Sequence, residues 1–258
     1  MTQGSQIGAR MDVSVPNLSL RPCTTLEEFD ECVRIQREVW KFSELETVPS
    51  DVFIIAQKTG GQIIGAFDGS RQIGFTLAFL ASQDDKAYLH SHFAAVLPGY
   101  QGSGIGRRLK LAQREDALQR GIRLIEWTFD PLALMNAHFN LNRLGAVIRR
   151  YIPNFYGVTS SPLHGNIPTD RFIAEWWLES DRVKSRLERE SALEESTAAH
   201  GIIVPRNVTD LLRSGSPQVG EIQAKIRGEF LDYFNRGYTA VGISFSEVEA
   251  TYLLQKNR

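Results

Sequence analysis

Cysteine is nearly missing from this chain: Cys23 and Cys32 are the only two in 258 residues. Two thiols exclude a disulfide framework, and neither stands at a metal-ligand spacing, so no metal is expected. Long apolar runs are missing as well. No stretch approaches the roughly 20 residues needed to cross a bilayer, and the polar opening MTQGSQIGARMDVSVPN lacks the apolar core of a signal peptide. Charge of one sign is also lacking, with 29 basic residues against 30 acidic ones. That balance argues against both a nucleic-acid surface and a membrane surface. Together these absences point to a cytoplasmic chain with reduced thiols. What remains is 42% hydrophobic and 23% charged, the composition of a globular protein long enough for one large domain or a domain with an appendage.

Residues 1–17 read as a flexible leader, rich in Gly, Ser and Asn. A strand over 18–21 precedes two overlapping capping boxes, Thr24 with Glu27 and Thr25 with Glu28. They introduce a helix to about Trp40 with Phe29, Cys32, Val33 and Trp40 facing inward, where Cys32 is a small core residue. Residues 41–60 are mixed, with turns at Pro49 and at the Gly60, Gly61 pair. Three strands follow, over 62–67, 72–80 and 87–96, separated by the hairpin sequences DGSR and SQDDK. A helix over 106–120 ends at Gly121, and a strand over 123–129 stops at Pro131. A helix over 133–144 closes at Gly145. Strands over 146–151 and 171–178 then flank a loop, 152–170, rich in Pro, Gly and Asn.

Composition shifts after that. Residues 179–195 alternate in charge, the pattern of a solvated helix. A compact α/β tail follows, with a strand over 202–204, a helix over 219–235 and strands in 238–245 and 250–254. The element order predicts a mixed α/β fold with a largely antiparallel first half. It divides into a leader (1–17), a main domain (18–178) and an α/β extension (179–258) packing on that domain.

The most specific stretch is 89–108, LHSHFAAVLPGYQGSGIGRR. An apolar run breaks at Pro–Gly, passes Gly102, Gly104 and Gly106, and opens into an amphipathic helix. A strand delivering a glycine-rich loop to a helix N-terminus is suited to hold an anion. A Walker loop fails, because Ile105 follows Gly104 where Lys is required. A Rossmann fingerprint fails at Arg107, and hairpin-like strands rather than a βαβ unit precede the loop. The remaining pattern, Gln101-x-x-Gly104-x-Gly106, resembles the pyrophosphate motif of the GNAT superfamily of acyl-coenzyme A-dependent N-acyltransferases. Element order from 18 to about 178 follows that family. Val96 sits where the family keeps the last apolar position of its fourth strand. Ala137 and Gly145 match its second conserved helix, which ends here in Leu144, Gly145, Ala146.

The resemblance implies a mostly antiparallel central sheet flanked by helices, with acetyl-CoA or another acyl-CoA as co-substrate. It places Gln101, Gly102, Ser103, Gly104, Ile105, Gly106 and Arg107 around the pyrophosphate, where backbone N–H groups ring the phosphates without side chains. It also places the backbone of Ala94, Ala95 and Val96 along the pantetheine arm like an added strand. Asn136 and Asn140 are candidate hydrogen-bonding partners of the cofactor.

For catalysis, His90 and His92 share one strand face, and an imidazole suits removing a proton from an ammonium. Their spacing resembles the paired histidines of serotonin-type arylalkylamine N-acetyltransferases. The alternative is a pair of hydrogen-bonded structural residues. Glu126, Thr128 and Asp130 alternate onto one face of the next strand, and Glu126 or Asp130 is a candidate to orient a histidine or bind an ammonium. Asp130 is equally a helix-capping residue. Trp127 and Phe129 read as core. The family's tyrosine acid is replaced by Leu141, with Tyr151 and Tyr156 as nearby substitutes. No residue stands out as an acyl-carrying nucleophile. The expected activity is an N-acetyltransferase of EC 2.3.1 type. It would transfer an acetyl or other short acyl group to the primary amine of a small, amino-acid-like molecule, by direct attack in a ternary complex, as a monomer or homodimer. A catalytically weak acyl-CoA-binding regulatory or scaffold protein of the same fold is the alternative.

Overall fold

In the computed structural model, the described residues are 15–157, 167–188 and 200–256. The chain divides into two compact units, one holding residues to 80 with 91–120, the other 81–90 with 121 onward.

In the first unit, Leu18–Pro22 forms β1 and Leu26–Trp40 forms α1. Of the two overlapping capping boxes, the second is built. Glu28 N–H donates to Thr25 Oγ1 at 3.3 Å, and the Glu28 carboxylate accepts the N–H groups of Thr24 (2.7 Å) and Thr25 (3.3 Å). The buried stripe of α1 runs through Phe29, Cys32, Ile35 and Gln36. Val33 and Trp40, expected on it, are only partly buried. Gln36 occupies the stripe because its amide donates to Val48 O and accepts Val48 N–H, both at 3.0 Å. Residues 41–60 are not irregular throughout: Ser50–Lys58 forms a helix, α2. Nine residues with adjacent β-branched positions carry too little period to separate helix from strand. Phe53 of α2 lies 6.3 Å from Phe29 and 5.7 Å from Phe75, ring centre to ring centre. Burial of each such side chain contributes about 1.5–3 kcal/mol.

The strands β2 (Gln62–Asp68), β3 (Arg71–Gln83) and β4 (Lys86–Val96) follow, in sheet order β1-β2-β3-β4. The helix α3 spans Ile105–Gln119 and buries Ile105, Leu109, Lys110, Gln113 and Ala117. Cys23 and Cys32 are free, buried thiols, and the Gln72 amide nitrogen lies 3.1 Å from Cys32 Sγ.

In the second unit, β5 (Leu124–Phe129) pairs in parallel with the start of β4, Leu89 opposite Ile125 and His90 opposite Glu126. The predicted helix over 133–144 is a short α4 (Leu134–His138) running into a π-helical turn, Phe139–Arg143. Next come β6 (Val147–Ile152), β7 (Arg171–Trp177), α5 (Asp181–Glu188) and β8 (His200–Pro205). The unit closes with α6 (Val208–Arg213), α7 (Gln218–Asn235), β9 (Tyr238–Phe245) and β10 (Glu249–Lys256). Strand order is β4-β5-β7-β6-β9-β10-β8, with only the β4–β5 pair parallel among those described. The fold is therefore mixed α/β, with a mostly antiparallel sheet flanked by helices.

Residues beyond 178 share this unit with 121–178. Ile148 of β6 pairs with Ala240 of β9, and the Asn142 side chain donates to Ile243 O (2.8 Å) and accepts Ile243 N–H (3.1 Å). From α7, Phe230 packs on Phe172 at 4.7 Å and Arg227 pairs with buried Asp170 at 2.8 Å. The charged segment from 179 is not a purely solvated helix. Val183 is buried, and the Arg182 guanidinium donates to the carbonyls of Leu141, Gly145 and Val241. Alternating charge concealed this, because an arginine that caps carbonyls reads like one in water. Residues 1–14, 158–166 and 189–199 lie outside the described residues, and with them parts of the leader, of the 152–170 loop and of the 179–195 helix. Among the described residues no helix is long and apolar enough to cross a membrane.

Candidate functional site

The glycine-rich loop lies in the first unit. β4 ends at Val96, the Leu97 N–H donates to Ile73 O at 2.9 Å, and Pro98–Tyr100 makes one 3-10 turn. The Gln101 amide donates back to Val96 O at 2.9 Å and the Ser103 hydroxyl donates to Tyr100 O at 2.6 Å. These two bonds fold the loop on itself, so both polar side chains act here as braces. Gly102 and Gly104 stand at φ +82° and +80°, and Gly104 is the N-cap of α3. A side chain at either would be strained. Around an added Cβ at Gly102, Gly104 or Gly106 nothing lies within 4 Å, so the loop is bordered by open space. Helix geometry leaves the first N–H groups of α3 without an i−4 acceptor, aimed into that space. An anionic pyrophosphate fits this arrangement. Upstream, Ala94 is exposed and Ala95 buried, with Ala95 O only 2.6 Å from where a Cβ on Gly74 would stand.

On β4, side chains alternate as expected. Ser91 is buried and its hydroxyl meets Lys110 Nζ at 2.8 Å and Gln113 Oε1 at 3.2 Å. Lys110 went unnoticed in the sequence, where it reads as an ordinary helix lysine. Burial pushes its pKa down to about 7. His92, on the other face, lies against Phe79 (5.7 Å) and Phe93 (4.2 Å).

In the second unit, His90 stands opposite Glu126 in the β4–β5 register, and Glu126 stands opposite Glu175 in the β5–β7 register. Opposed residues project to one face, so the three form a row across the sheet. Glu126 is 6% exposed and ion-paired with Arg150. Burial raises its pKa, with Arg150 opposing. Arg150 and Glu175 carried no local signal, since the pairing depends on which strands become neighbours. Asp130 accepts the Leu132 N–H at 2.8 Å in the turn ahead of α4 and does not cap that helix, whose N-cap is Ala133 with no side-chain bond; burial raises its pKa against the Leu132 bond. Thr128 and Tyr156 hydroxyls lie 2.9 Å apart. Trp127 and Phe129 are core, against Trp176 and Phe172.

Of the remaining candidates, Asn136 is exposed and Asn140 buried, their amides 3.4 Å apart. Leu141 is fully buried within the π-helical turn. Tyr151 donates to Asp170 at 2.5 Å, and burial followed by that bond raises its pKa, which commits the hydroxyl to the Asp170–Arg227 cluster. Among the described residues no group of three or more His, Cys, Asp or Glu could hold a metal.

The strand–glycine loop–helix falls within the stretch that a known protein family matches. Residues 23–145 match the family model described as Acetyltransferase (GNAT) family. That stretch is similar to a GNAT acetyltransferase domain. No curated protein sequence matches the chain. Among solved structures, a GNAT-family protein from Desulfovibrio desulfuricans is similar at 17% identity, covering 62% of this chain and 99% of its own, with a TM-score of 0.50. The ribosomal-protein-S18-alanine N-acetyltransferase of Escherichia coli is similar at 16% identity, covering 63% of this chain and 95% of its own, with a TM-score of 0.51. At these identities the likeness concerns the fold.

Proposed function

We propose that this chain transfers an acetyl or other short acyl group from acyl-CoA to the primary amine of a small, amino-acid-like acceptor. The observation that carries the reading is the loop of Gly102, Gly104 and Gly106 at the start of α3, open to an anion and fed by the strand bearing His90 and His92. In this reading Gln101 to Arg107 hold the pyrophosphate, and the backbone of Ala94, Ala95 and Val96 lies along the pantetheine. Asn136 and Asn140 are candidate hydrogen-bonding partners of the cofactor. His90 or His92 takes the ammonium proton, with Glu126 beside His90 fixing its orientation and Asp130 as the second acid of the site. The amine nitrogen then attacks the thioester carbon, the C–S bond breaks, and the thiolate leaves with a proton. The transfer in this reading is direct, since both thiols are buried and no residue stands out as an acyl-carrying nucleophile. With both thiols free, a reducing cytoplasmic setting fits.

A second reading, an acyl-CoA-binding regulatory protein, is favoured by one fact: Leu141, fully buried, stands where the resemblance calls for an acidic tyrosine. Thiol release from acetyl-CoA over a panel of amines separates the two. Turnover that falls at least tenfold when His90 and His92 are both changed to Ala supports the transferase. Tight cofactor binding with no product from any amine, unchanged by that double substitution, establishes the regulatory reading instead.

A further inference from the structure

The second unit contains a cleft of about 730 Å³. Its lining includes Tyr88, Arg123, Glu126, Arg150, Glu175 and Trp177. Two buried carboxylates lie side by side here, Glu126 at 6% and Glu175 at 7% exposure, directly opposed across β5 and β7. Opposed like charges repel unless cations intervene. Arg150 supplies one, pairing with Glu126 and reaching Glu175 at 3.6 Å, and Arg149 reaches Glu175 at 2.5 Å. The Trp177 indole N–H also donates to Glu175 at 3.1 Å.

Depth separates the charges. The carboxylates are buried, whereas the Arg150 side chain is 42% exposed and that of Arg123 is 76% exposed. Each carboxylate has lone pairs for about four donors, and a guanidinium has five N–H groups. A ligand carrying one ammonium and one carboxylate meets both needs, the ammonium inward and the carboxylate outward. Tyr88 and Trp177, the latter 44% exposed, give it aromatic walls. Arg150 is shared between Glu126 and Glu175, and Arg123 pairs with Glu179 at 2.8 Å, so a ligand's carboxylate would take the N–H groups that these pairs leave over, whereas a simple anion would meet the buried carboxylates. His90 stands in register beside Glu126, so an amine bound there reaches the strand of the candidate base.

We propose that this cleft binds the acceptor as a zwitterion: a free α-amino acid with an apolar or aromatic side chain. Its ammonium faces Glu126 and Glu175, its carboxylate faces Arg150 and Arg123, and its side chain lies on Trp177. The use of the ligand as an acyl acceptor rests on the transferase reading, while its binding does not.

The test is calorimetric titration of the whole chain, without cofactor, using three matched probes: phenylalanine, phenethylamine and 3-phenylpropionate. Phenylalanine is expected to bind at least tenfold tighter than either analogue, and Glu126→Gln to abolish that preference. Should Glu126→Gln fail to fold, Trp177→Ala, a change at a half-exposed site, decides. It is expected to keep its melting temperature and lose about tenfold in phenylalanine affinity. No saturable binding of phenylalanine, equal binding of phenethylamine, or wild-type affinity in Trp177→Ala overturns the proposal. If acetyl-CoA binds and amines turn over without phenylalanine binding, the cleft assignment falls and the transferase stands. If phenylalanine binds and no amine is ever acylated, the transferase falls and the zwitterion site stands.

Discussion

The guanidinium of Arg182 donates to the backbone carbonyl of Leu141 at 3.0 Å. The same group bonds Gly145 O at 3.0 Å and also Val241 O. A π-helical turn misaligns its backbone carbonyls, and Arg182 supplies donors at the point where Phe139–Arg143 gives way to β6. Burial, and then neighbouring Arg186, lowers its pKa to about 10, so it stays charged at neutral pH. One residue of the charged segment thus ties α5, the π-helical turn and β9 together.

Replacing Arg182 with Met keeps the stem and removes the donors. The loss leaves buried carbonyls unpaired and is expected to destabilise the chain by about 2–4 kcal/mol. Arg182→Lys recovers little, because one ammonium on a flexible stem does not reproduce a planar fork. Denaturant midpoints of the two variants check this, and a wild-type midpoint for Arg182→Met refutes it.

The loop glycines separate strain from access. Gly104 lies at φ +80°, so Gly104→Trp combines about 1 kcal/mol or more of backbone strain with obstruction. Gly106 has an ordinary helical conformation and open space around it. Gly106→Leu is therefore expected to leave the melting temperature unchanged or slightly raised, since Leu outranks Gly in a helix by up to about 1 kcal/mol. Both variants are expected to weaken CoA binding more than tenfold. Wild-type affinity in a calorimetric titration of Gly106→Leu rules out the phosphate role of the loop.

Lys110 makes stability depend on pH. Its folded pKa, about 7, lies below the ordinary lysine value of 10.5, so between those limits the unfolded chain holds the extra proton. Stability therefore rises with pH across that window, by at most about 1.4 kcal/mol per unit from this group, and the burden is complete below pH 7. Lys110→Met should remove the rise and stabilise the chain near pH 7. Urea titrations at pH 6.5, 8 and 9.5 test it; a variant with the same slope as the parent would falsify the assignment.

The thiols offer a kinetic check. Cys23 and Cys32 are both buried, and burial raises the Cys32 pKa, with Gln72 opposing through its bond to the sulfur. Alkylation by iodoacetamide at pH 8 is expected to wait for unfolding and to follow the unfolding rate in denaturant. Rapid labelling of the native chain would show that the core around α1 opens independently.

The parts of this fold written in the sequence are those whose causes lie within a few residues of one another. The Thr25 box, the hairpin separators and the glycines from 102 to 106 act across two to five positions, so order along the chain is order in space. That locality made the glycine loop readable and showed where β4 delivers it. It did not reach α2, too short to show a period, or the π-helical turn, whose strain is relieved by an arginine 41 positions after Leu141. The Glu126–Arg150 pair spans 24 residues and Arg149–Glu175 spans 26, and both exist only because β7 inserts between β5 and β6. Sequence alone determined a glycine-rich loop between strand and helix, with histidines on the strand before it. Tertiary structure alone decided which buried carboxylates and guanidiniums share a cleft, because sheet register, set by packing along whole strands, brings distant side chains to one face.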